Sequence, residues 1–354
     1  MQQQDPFAVI AQDVPQFAAA VAVDLVRRHY GLDVSVSPLI SERDQNFRLQ
    51  TASGRDYVLK IANAAETPLV TNFQIEALRH IADVIHREAL PIRTPEILYT
   101  LDGATHLTLD SDQGRHVVRV VTFLPGRPLA TRSASPALAT DMGRYLAWLG
   151  RALAGFSHAG SRQSLLWDVQ QAPQVARLVK HIPEPAVALA VSRALDAFER
   201  HAVPSLSSLR EQIIHNDFNP DNVLIAGGDS NRVAGVIDFG DMLQAPLVVD
   251  AAIGASYQRT RDGDPLDLIC NFLRGYHAVT PLAAEESAIL FDLIQARLSA
   301  SIAILDWRAS MRGDDDPYLE KSVRGEASAK RFLVRLQEMP RAAARAALAA
   351  ACGG

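Results

Sequence analysis

Short apolar stretches and helices with one apolar face alternate along the first third of the chain. Residues 17–32 predict a helix that ends at Gly31, because glycine commonly follows the last turn of a helix. Three stretches typical of strands follow, with Ser53 and Gly54 as a hairpin turn: residues 34–40, 46–52 and 55–63. This part of the chain predicts a helix followed by an antiparallel sheet.

A long amphipathic helix is predicted over residues 67–90. Its apolar side chains recur at helical spacing: Phe73, Leu78, Ile81 and Ile85. Two or three more strands follow, and a Pro-Gly pair stops the last of them. From about Ser135 the chain becomes mainly helical, and strands followed by helices are typical of an α+β fold. We therefore expect two lobes, residues 1–124 and residues 125–354.

The composition is that of an ordinary globular protein. The 354 residues are enough for two lobes with a sizeable core, and 48% of them are hydrophobic against 21% charged. A net charge of −5 gives no support to nucleic-acid binding. Cys270 and Cys352 lie far apart without a CxxC motif, so plain thiols in a reducing, cytoplasmic compartment are expected.

Membrane association is not expected either. Residues 1–15 lack the basic start and the long apolar core of a secretory signal. No apolar run approaches the roughly 20 residues that a membrane helix needs. The sequence therefore predicts neither a membrane nor a nucleic acid as partner, and it leaves the oligomeric state open.

Two polar loops, each next to an apolar strand, carry the candidate chemistry. Residues 213–225 read IIHNDFNPDNVLI, and a loop held between two strands is a good platform for a site. Residues 233–241 read VAGVIDFGD, in which an Asp at the end of a buried strand can aim its carboxylate into a cleft. Asp217, Asn222 and Asp238 form a trio of oxygen ligands, which Mg²⁺ prefers. No Cys or His cluster offers the ligands expected for zinc.

The spacing of these residues resembles the catalytic loop and metal strand of kinases. His215, Asp217 and Asn222 fit the pattern His-x-Asp-x-x-x-x-Asn, and an Asp-Phe-Gly triplet begins at Asp238. Asn216 stands where protein kinases carry Arg, which argues against an Arg-coupled activation loop. Over most of its length the chain resembles the aminoglycoside phosphotransferase and choline kinase group of small-molecule kinases. The resemblance implies a two-lobed protein-kinase-like fold, with a small N-lobe of antiparallel sheet and helix and a larger, mainly helical C-lobe.

The resemblance also implies roles for the polar residues of these loops. Asp217 would orient the substrate hydroxyl and accept its proton, while Asn222 and Asp238 would hold Mg²⁺. His215 and Asp250 are expected to support the site structurally, Asp250 through hydrogen bonds to the loop backbone. ATP or GTP is the expected phosphoryl donor, and the side chains do not decide between them.

In the first lobe, Lys60 lies between two apolar residues on a predicted strand. A strand Lys paired with a helix Glu orients the nucleotide phosphates in kinases. Two acids are candidates for this pairing: Glu76, in the middle of the predicted helix, and Glu66, which precedes Pro68 in a loop. We favour Glu76 on that ground and keep Glu66 as the alternative.

The remaining nucleotide contacts are expected from a turn and from the segment before the second lobe. No Gly-rich loop separates the first two strands. The turn there contains Ser41 and Asn46, which either contact phosphate or form an ordinary polar hairpin. Backbone groups of residues 121–123, including Val121 and Phe123, are expected to hold the base, as in related kinases.

Within the group, three short motifs are most similar to hydroxylysine kinases: RDQNF, HNDFN and IDFGDM. That resemblance implies 5-hydroxy-L-lysine as the substrate and GTP as a donor. Acids and an aromatic face would suit the ammonium group of such a substrate, and the second lobe offers four candidates: Asp241, Tyr257, Asp306 and Trp307. Asp241 either contacts the substrate or stays solvated, and surface solvation explains the other acids equally well.

Other substrates and one other class of protein stay open. Aminoglycoside, homoserine, choline or ethanolamine kinase is the alternative among kinases. A nucleotide-binding regulator without turnover is the alternative outside them. It is disfavoured because the residues that an inactive relative usually loses are all present: Lys60, Asp217, Asn222 and Asp238. A late helix intersperses its acids with apolar residues, which favours a small substrate with one or two charges over an aminoglycoside.

Overall fold

A computed structural model describes residues 14–131, 134–228, 231–312 and 317–353, so most of the segment tested for a secretory signal lies outside the described residues. The chain divides into two compact units. The first comprises the chain up to Ala89, Arg93–Pro125 and Ser157–Ser164, and the second comprises Leu90–Ile92, Gly126–Phe156 and the chain from Leu165 onward. The sequence predicts a single boundary after residue 124. In the structure the first unit also includes residues 157–164, and the second unit also includes residues 90–92.

The first unit contains two helices and a six-stranded sheet: α1 (Ala19–Tyr30), β1 (Val34–Leu39), β2 (Gln45–Thr51), β3 (Asp56–Ile61), α2 (Pro68–Glu88), β4 (Ile97–Leu98), β5 (Leu107–Ser111) and β6 (Gly114–Thr122). The strand order is β1-β2-β3-β6-β4, and β5 also pairs with β6. Every described pair of neighbouring strands is antiparallel. The predicted antiparallel sheet with helices is confirmed.

Helix α1 packs on one face of this sheet. Alternate side chains of the strands point to that face, since successive residues of a strand project to opposite faces. The buried cluster between them consists of Ala22, Leu25, Val26, Tyr30, Phe47, Leu49, Leu59, Ile61, Val118 and Val120. The helix ends as predicted at Gly31, which has a left-handed φ of +67° and donates its N–H to the carbonyl of Arg27 at 3.2 Å.

Helix α2 begins at Pro68, after the side chain of Thr67 accepts the N–H of Val70 as an N-cap. Its buried face includes the predicted apolar residues Phe73, Leu78 and Ile81. Gln74 on this helix accepts a hydrogen bond from Arg119 of β6 at 2.5 Å. Since Arg119 lies between Val118 and Val120, which face α1, this bond ties α2 to the opposite face of the sheet.

The second unit is mainly helical: β7 (Arg127–Pro128), α3 (Pro136–Leu153), α4 (Ala172–Val175), α5 (Pro185–His201), α6 (Val203–Leu206), β8 (Glu211–Ile214), β9 (Val223–Ile225), β10 (Val233–Val236), β11 (Leu243–Pro246), α7 (Leu247–Ser256), α8 (Asp267–His277), α9 (Ala284–Arg312), α10 (Pro317–Gln337) and α11 (Arg341–Ala351). Its strands form two small antiparallel sheets, ordered β10-β9-β7 and β11-β8. These short strands present the two polar loops at their ends.

Helix α9 is central to the second unit and contacts α5, α7, α10 and α11. Over Ala284–Met311 it is long and apolar enough to cross a membrane by length and composition alone, so the expectation that no apolar run approaches that length was wrong. Isolated charged residues such as Arg297 interrupt the apolar run, so it is not evident as a continuous stretch in the sequence. Of its most apolar window, 89% is buried inside the protein, which is the environment of a core helix.

The two cysteines are buried free thiols, in agreement with the sequence prediction. Burial raises the pKa of both thiols, that of Cys352 to about 11. Because the thiolate is the reactive form, Cys270 and Cys352 have the character of inert core residues.

Candidate active site

The candidate catalytic loop, residues 215–222, joins β8 to β9, and one buried carboxylate holds its backbone. Asp250, in the first turn of α7, accepts the N–H of His215 at 3.1 Å and that of Asn216 at 2.9 Å. Burial raises the pKa of Asp250 to about 6, and the two donors oppose that shift. Asp250 therefore fixes the start of the loop.

The ring of His215 is fully buried. Its Nδ1 accepts the Asp217 N–H at 3.3 Å, so Nε2 carries the proton and lies 3.3 Å from the carbonyl oxygen of Ile237. The ring packs edge-on against Phe239, with centroids 4.9 Å apart. Burial lowers the pKa of His215 to about 4, so at neutral pH the ring is uncharged and links the loop to the strand that precedes Asp238.

Asp217 is held at both carboxylate oxygens. Oδ2 accepts the side-chain amides of Asn219 at 2.9 Å and Asn222 at 2.7 Å, and Oδ1 accepts Nη2 of Arg297 at 3.2 Å. The side chain is 20% exposed. Burial and the nearby charge of Asp241 raise the pKa of Asp217, while Arg297 opposes the shift. A fixed, partly accessible carboxylate with a raised pKa has the properties of a general base.

Asn222 and Asp238 offer the oxygen atoms expected of a magnesium site. The amide nitrogen of Asn222 donates to the carbonyl of Asp217 at 3.0 Å and to its Oδ2, which leaves Oδ1 without a hydrogen bond from the described residues. Asp238 follows β10 and is exposed, and the N–H of Ile237 donates to the Asn222 carbonyl at 2.9 Å. In the described parts of the chain, no group of three or more His, Cys, Asp or Glu could hold a metal. Two protein ligands completed by phosphate and water oxygens fit Mg²⁺.

Two non-glycine residues of the polar loops, one of them the candidate ligand Asp238, have left-handed backbones. Asn216 has a φ of +63° and Asp238 a φ of +62°. Asn and Asp tolerate this conformation better than most residues, but it still carries a strain of about 1–3 kcal/mol in each case. The two strained residues lie two positions after the ends of β8 and β10, where the chain leaves each strand and enters the loop that carries Asp217 or Asp238.

Arg297 on α9 is a site residue that the sequence analysis missed. Its side chain is only 2% exposed. Besides the bond to Asp217, Nη2 lies 3.3 Å from the hydroxyl of Tyr257, and Nη1 donates to the carbonyl of Trp167 at 2.6 Å. A signal was present in the sequence, because an Arg inside an apolar helix is almost never fully buried without a partner.

Tyr257 and Asp241, two of the four candidate substrate residues, lie near Asp217. The Tyr257 hydroxyl and the Asp217 carboxylate both contact Nη2 of Arg297. Asp241 is buried, and its charge contributes to the raised pKa of Asp217. Both residues therefore lie near the candidate base, and their role as substrate contacts stays a prediction.

The other two candidates lie further along α9. Asp306 follows Arg297 by nine residues, which corresponds to about 13 Å along the helix and to its opposite side. The carboxylate of Asp306 pairs with Lys330 at 2.9 Å, and among the described residues no hydrogen bond joins it to the catalytic loop. The half-buried Trp307 is its neighbour. Asp306 therefore forms an ion pair with Lys330 and, among the described residues, no hydrogen bond with the candidate base Asp217.

In the first unit, Lys60 lies in a row of polar side chains across three strands. Asn46 of β2 pairs with Lys60 of β3, and Lys60 pairs with Arg119 of β6. Residues directly opposite in antiparallel strands project from the same face, which here is the face opposite α1. The amide oxygen of Asn46 is buried without a hydrogen-bond partner among the described residues. Two predicted phosphate ligands, Asn46 and Lys60, are thus side by side.

Glu66 is connected to this row by hydrogen bonds. It accepts the hydroxyl of Thr71 at 2.6 Å and the amide of Gln74 at 3.1 Å. Gln74 in turn accepts from Arg119, the cross-strand neighbour of Lys60. Burial raises the pKa of Glu66, and the charge of Arg119 opposes that shift. Glu66 therefore approaches the face of the sheet that carries Lys60.

Glu76 has a different partner, since its two oxygens accept Nη1 of Arg79 at 2.9 and 3.0 Å. We therefore expect Glu66→Gln to raise the KM for nucleotide about tenfold, the effect of losing roughly 1.5 kcal/mol from a charged contact. The matched variant Glu76→Gln should change it by less than about twofold, within ±0.5 kcal/mol. Steady-state assays of both variants, with unfolding midpoints as a folding control, measure the difference. A larger effect from Glu76→Gln would instead assign the pairing with Lys60 to Glu76.

Two segments are expected to bind nucleotide, the turn between β1 and β2 and residues 121–123. Backbone groups of both form hydrogen bonds within the first unit. Ser41 is half-buried in the turn between β1 and β2, and the side-chain amide of Asn63 donates to a carbonyl of that turn at 3.2 Å. Val121 is buried within β6. The N–H of Phe123 donates to the carbonyl of Asp56 at 3.0 Å. This N–H of the predicted base-binding segment is therefore already used within the first unit.

Comparison with known proteins agrees with this geometry. The profile of the phosphotransferase enzyme family matches residues 35–285. Hydroxylysine kinase of Mus musculus is 30% identical over 329 residues, which cover 86% of this chain and 86% of that protein. Homoserine kinase of Neisseria meningitidis serogroup B is 31% identical over 250 residues, which cover 69% of this chain and 73% of that protein. Among solved structures, the amicoumacin kinase hAmiN in complex with AMP-PNP, Ca²⁺ and Ami has a TM-score of 0.67 at 14% identity, covering 93% of this chain and 97% of that one.

The matches and the fold define the class of protein. The chain belongs to the phosphotransferase enzyme family, and its two-lobed α+β fold is protein-kinase-like. It is a small-molecule kinase, a phosphotransferase that uses an alcohol group as acceptor and is similar to hydroxylysine kinase. The resemblance predicted from the sequence motifs is confirmed.

Proposed function

We propose that this kinase transfers the γ-phosphoryl group of Mg²⁺-bound ATP or GTP to the hydroxyl of a hydroxy amino acid or amino alcohol, with 5-hydroxy-L-lysine as the first candidate. The observation that carries the proposal is the fixed carboxylate of Asp217, with Asn219 and Asn222 on one oxygen and Arg297 on the other. The similarity to hydroxylysine kinase of Mus musculus over 86% of the chain supports the choice of substrate.

Each proposed site residue acts through one property. Asp217 accepts a hydrogen bond from the substrate hydroxyl, orients its oxygen for in-line attack on the γ-phosphorus, and takes the proton as the bond to the β–γ bridging oxygen breaks. Because the transition state is loose, positioning and charge neutralisation dominate. Asn222 and Asp238 hold Mg²⁺, which when bound neutralises charge on the phosphate oxygens. Lys60 fixes the α- and β-phosphates.

Purified protein should phosphorylate 5-hydroxy-L-lysine with a higher kcat/KM than kanamycin. An aminoglycoside carries several ammonium groups, whereas the buried cation Arg297 pairs with Asp217, offsets part of the acidic charge there and suits a substrate with fewer positive charges. A steady-state panel of hydroxylysine, homoserine, ethanolamine, choline and kanamycin, each with ATP and with GTP, measures the preference. A reaction without acceptor controls for nucleotide hydrolysis. A higher kcat/KM for an aminoglycoside than for every amino alcohol and amino acid would overturn the substrate, and phosphorylation of no acceptor would contradict the proposed reaction.

Homoserine is the second candidate. Its support is the 31% identity to homoserine kinase of Neisseria meningitidis over 69% of this chain. Hydroxylysine and homoserine share an α-amino acid group and a hydroxyl on the side chain. The feature that they share, and that choline and kanamycin lack, is a carboxylate.

A further inference from the structure

The two carboxylate oxygens of Asp217 have different surroundings. An ionised carboxylate offers about four lone-pair positions, two on each oxygen. On Oδ2 both are used, since the side-chain amides of Asn219 and Asn222 donate to it at 2.9 and 2.7 Å. Oδ1 accepts one hydrogen bond from the described residues, that of Nη2 of Arg297 at 3.2 Å. Oδ1 therefore keeps a lone pair for a further donor.

Arg297 is itself held by residues outside the catalytic loop. Nη1 donates to the carbonyl of Trp167 at 2.6 Å, and Cζ is 5.7 Å from the centroid of the Trp167 ring. Nη2 lies 3.3 Å from the hydroxyl of Tyr257, which follows α7 directly. With 2% of its side chain exposed, Arg297 is surrounded by closely packed atoms and has little freedom to change rotamer. Its guanidinium group can therefore fix the orientation of the loop carboxylate that it contacts.

The charge of Arg297 also acts on the neighbouring acids. Burial raises the pKa of Asp168, and the charge of Arg297 opposes that shift. Burial and the charge of Asp241 raise the pKa of Asp217, and Arg297 opposes this shift as well. Because a buried charge without its partner is strongly destabilising, a substitution that removes the cation would also weaken the fold. Lysine, which keeps the charge, is therefore the more informative replacement at this position.

We propose that Arg297 is a positioning residue for phosphoryl transfer, which orients Asp217 so that Oδ1 accepts the hydrogen bond and then the proton of the substrate hydroxyl. This role rests on the proposed kinase function. The O–H bond breaks as the hydroxyl oxygen bonds to the γ-phosphorus, the proton goes to Oδ1, and the bridging β–γ oxygen leaves with the electron pair of its bond. In a loose transition state the position of the base matters more than its strength, so a cation beside Asp217 is compatible with catalysis.

Arg297→Lys keeps the charge but replaces the rigid planar fork by a single ammonium, which cannot hold the Trp167 carbonyl and Asp217 in the same fixed geometry. Single-turnover rates at saturating acceptor should fall by about 10–100-fold, since a misplacement of about 1 Å at the reacting group has effects of that size. The KM for nucleotide should stay unchanged, because Asp217 acts on the acceptor. Arg193→Lys makes the same exchange at an exposed position of α5 and should leave the rate unchanged.

A double-mutant cycle separates positioning from a general loss of structure. If Arg297 acts through Asp217, Arg297→Lys should change the rate of Asp217→Asn by less than about twofold, because that variant has no proton acceptor to orient. A structural defect would instead lower the rate by the same factor in both backgrounds. Equal factors, or a normal rate for Arg297→Lys in the otherwise wild-type enzyme, would overturn the positioning role while the kinase proposal stands.

The contact between Arg297 and Asp217 can also be measured without turnover. Thermal unfolding midpoints form a second cycle with Arg297→Lys and Asp217→Ala, since Ala cannot accept the guanidinium hydrogen bond. The double variant should lose less than the sum of the two single shifts, because both substitutions remove the same interaction. Additive shifts would overturn the positioning role. If the wild-type enzyme phosphorylates no alcohol, the proposed function fails instead, and this second cycle still tests the contact.

Discussion

Replacing Asp217 with Asn should lower kcat by about 10²–10⁴-fold, the range for loss of a general base. Asn keeps the size of the side chain and can still contact Arg297, but it cannot accept the hydroxyl proton. Binding of the Mg-nucleotide should stay nearly intact, because Asp217 is proposed to act on the acceptor and not on the phosphates. A fall in kcat with an unchanged nucleotide KM therefore identifies loss of the chemical step.

The measurement combines single-turnover rates with a nucleotide titration of the same preparation. Asp221→Asn is the matched control, since it makes the same chemical change in the same loop at a residue with no proposed catalytic role. It should remain within about threefold of wild type, as expected for a change under about 0.7 kcal/mol. Normal turnover by Asp217→Asn would remove this carboxylate from the mechanism.

Asp238→Ala should abolish Mg²⁺-dependent turnover, because it removes the charged member of a two-residue magnesium site. Asn222→Ala should have a smaller effect and raise the Mg²⁺ concentration needed for half-maximal rate, since an amide oxygen contributes less than a carboxylate. The side-chain oxygen of Asn222 has no hydrogen bond among the described residues, so the shift in the Mg²⁺ requirement reports its loss, whereas loss of the amide's hydrogen bonds to Asp217 lowers the rate at saturating Mg²⁺.

Magnesium titrations of both variants at fixed nucleotide test this arrangement. Asp196→Ala, which removes an exposed carboxylate from α5, is the control and should follow the wild-type titration. Phosphoryl transfer by Asp238→Ala at ordinary Mg²⁺ concentration would show that the metal ligands lie elsewhere.

Local patterns were sufficient to predict most elements and the two polar loops. The end of α1 at Gly31 follows from the backbone preference of glycine, and the buried face of α2 follows from helical periodicity. The spacing from His215 to Asn222 and the triplet at Asp238 depend on short loops, so they are visible in the sequence. These features concern residues that are close together along the chain.

The contacts that the sequence did not predict join distant residues. Arg297 reaches Asp217 across 80 positions, and nothing in the periodicity of α9 distinguishes the side that faces the loop. Composition alone makes Asp306 a candidate substrate contact, whereas in the structure it forms an ion pair with Lys330 on the next helix. The connection of Glu66 with Arg119 likewise depends on a strand more than 40 residues away. Such pairings are decided by packing and not by local preference.

The left-handed conformation of Asn216 and Asp238 affects how far thermal tolerance can be improved in this protein. Glycine would relieve about 1–3 kcal/mol of backbone strain at either position against an entropic cost of about 0.5–1 kcal/mol, so selection for heat resistance alone would favour it at both. At Asn216 that exchange removes no proposed ligand or base. At Asp238 the same exchange removes the carboxylate of the magnesium site. Stability can therefore be increased at Asn216 without loss of a proposed site residue. At Asp238 the same increase in stability would inactivate the enzyme.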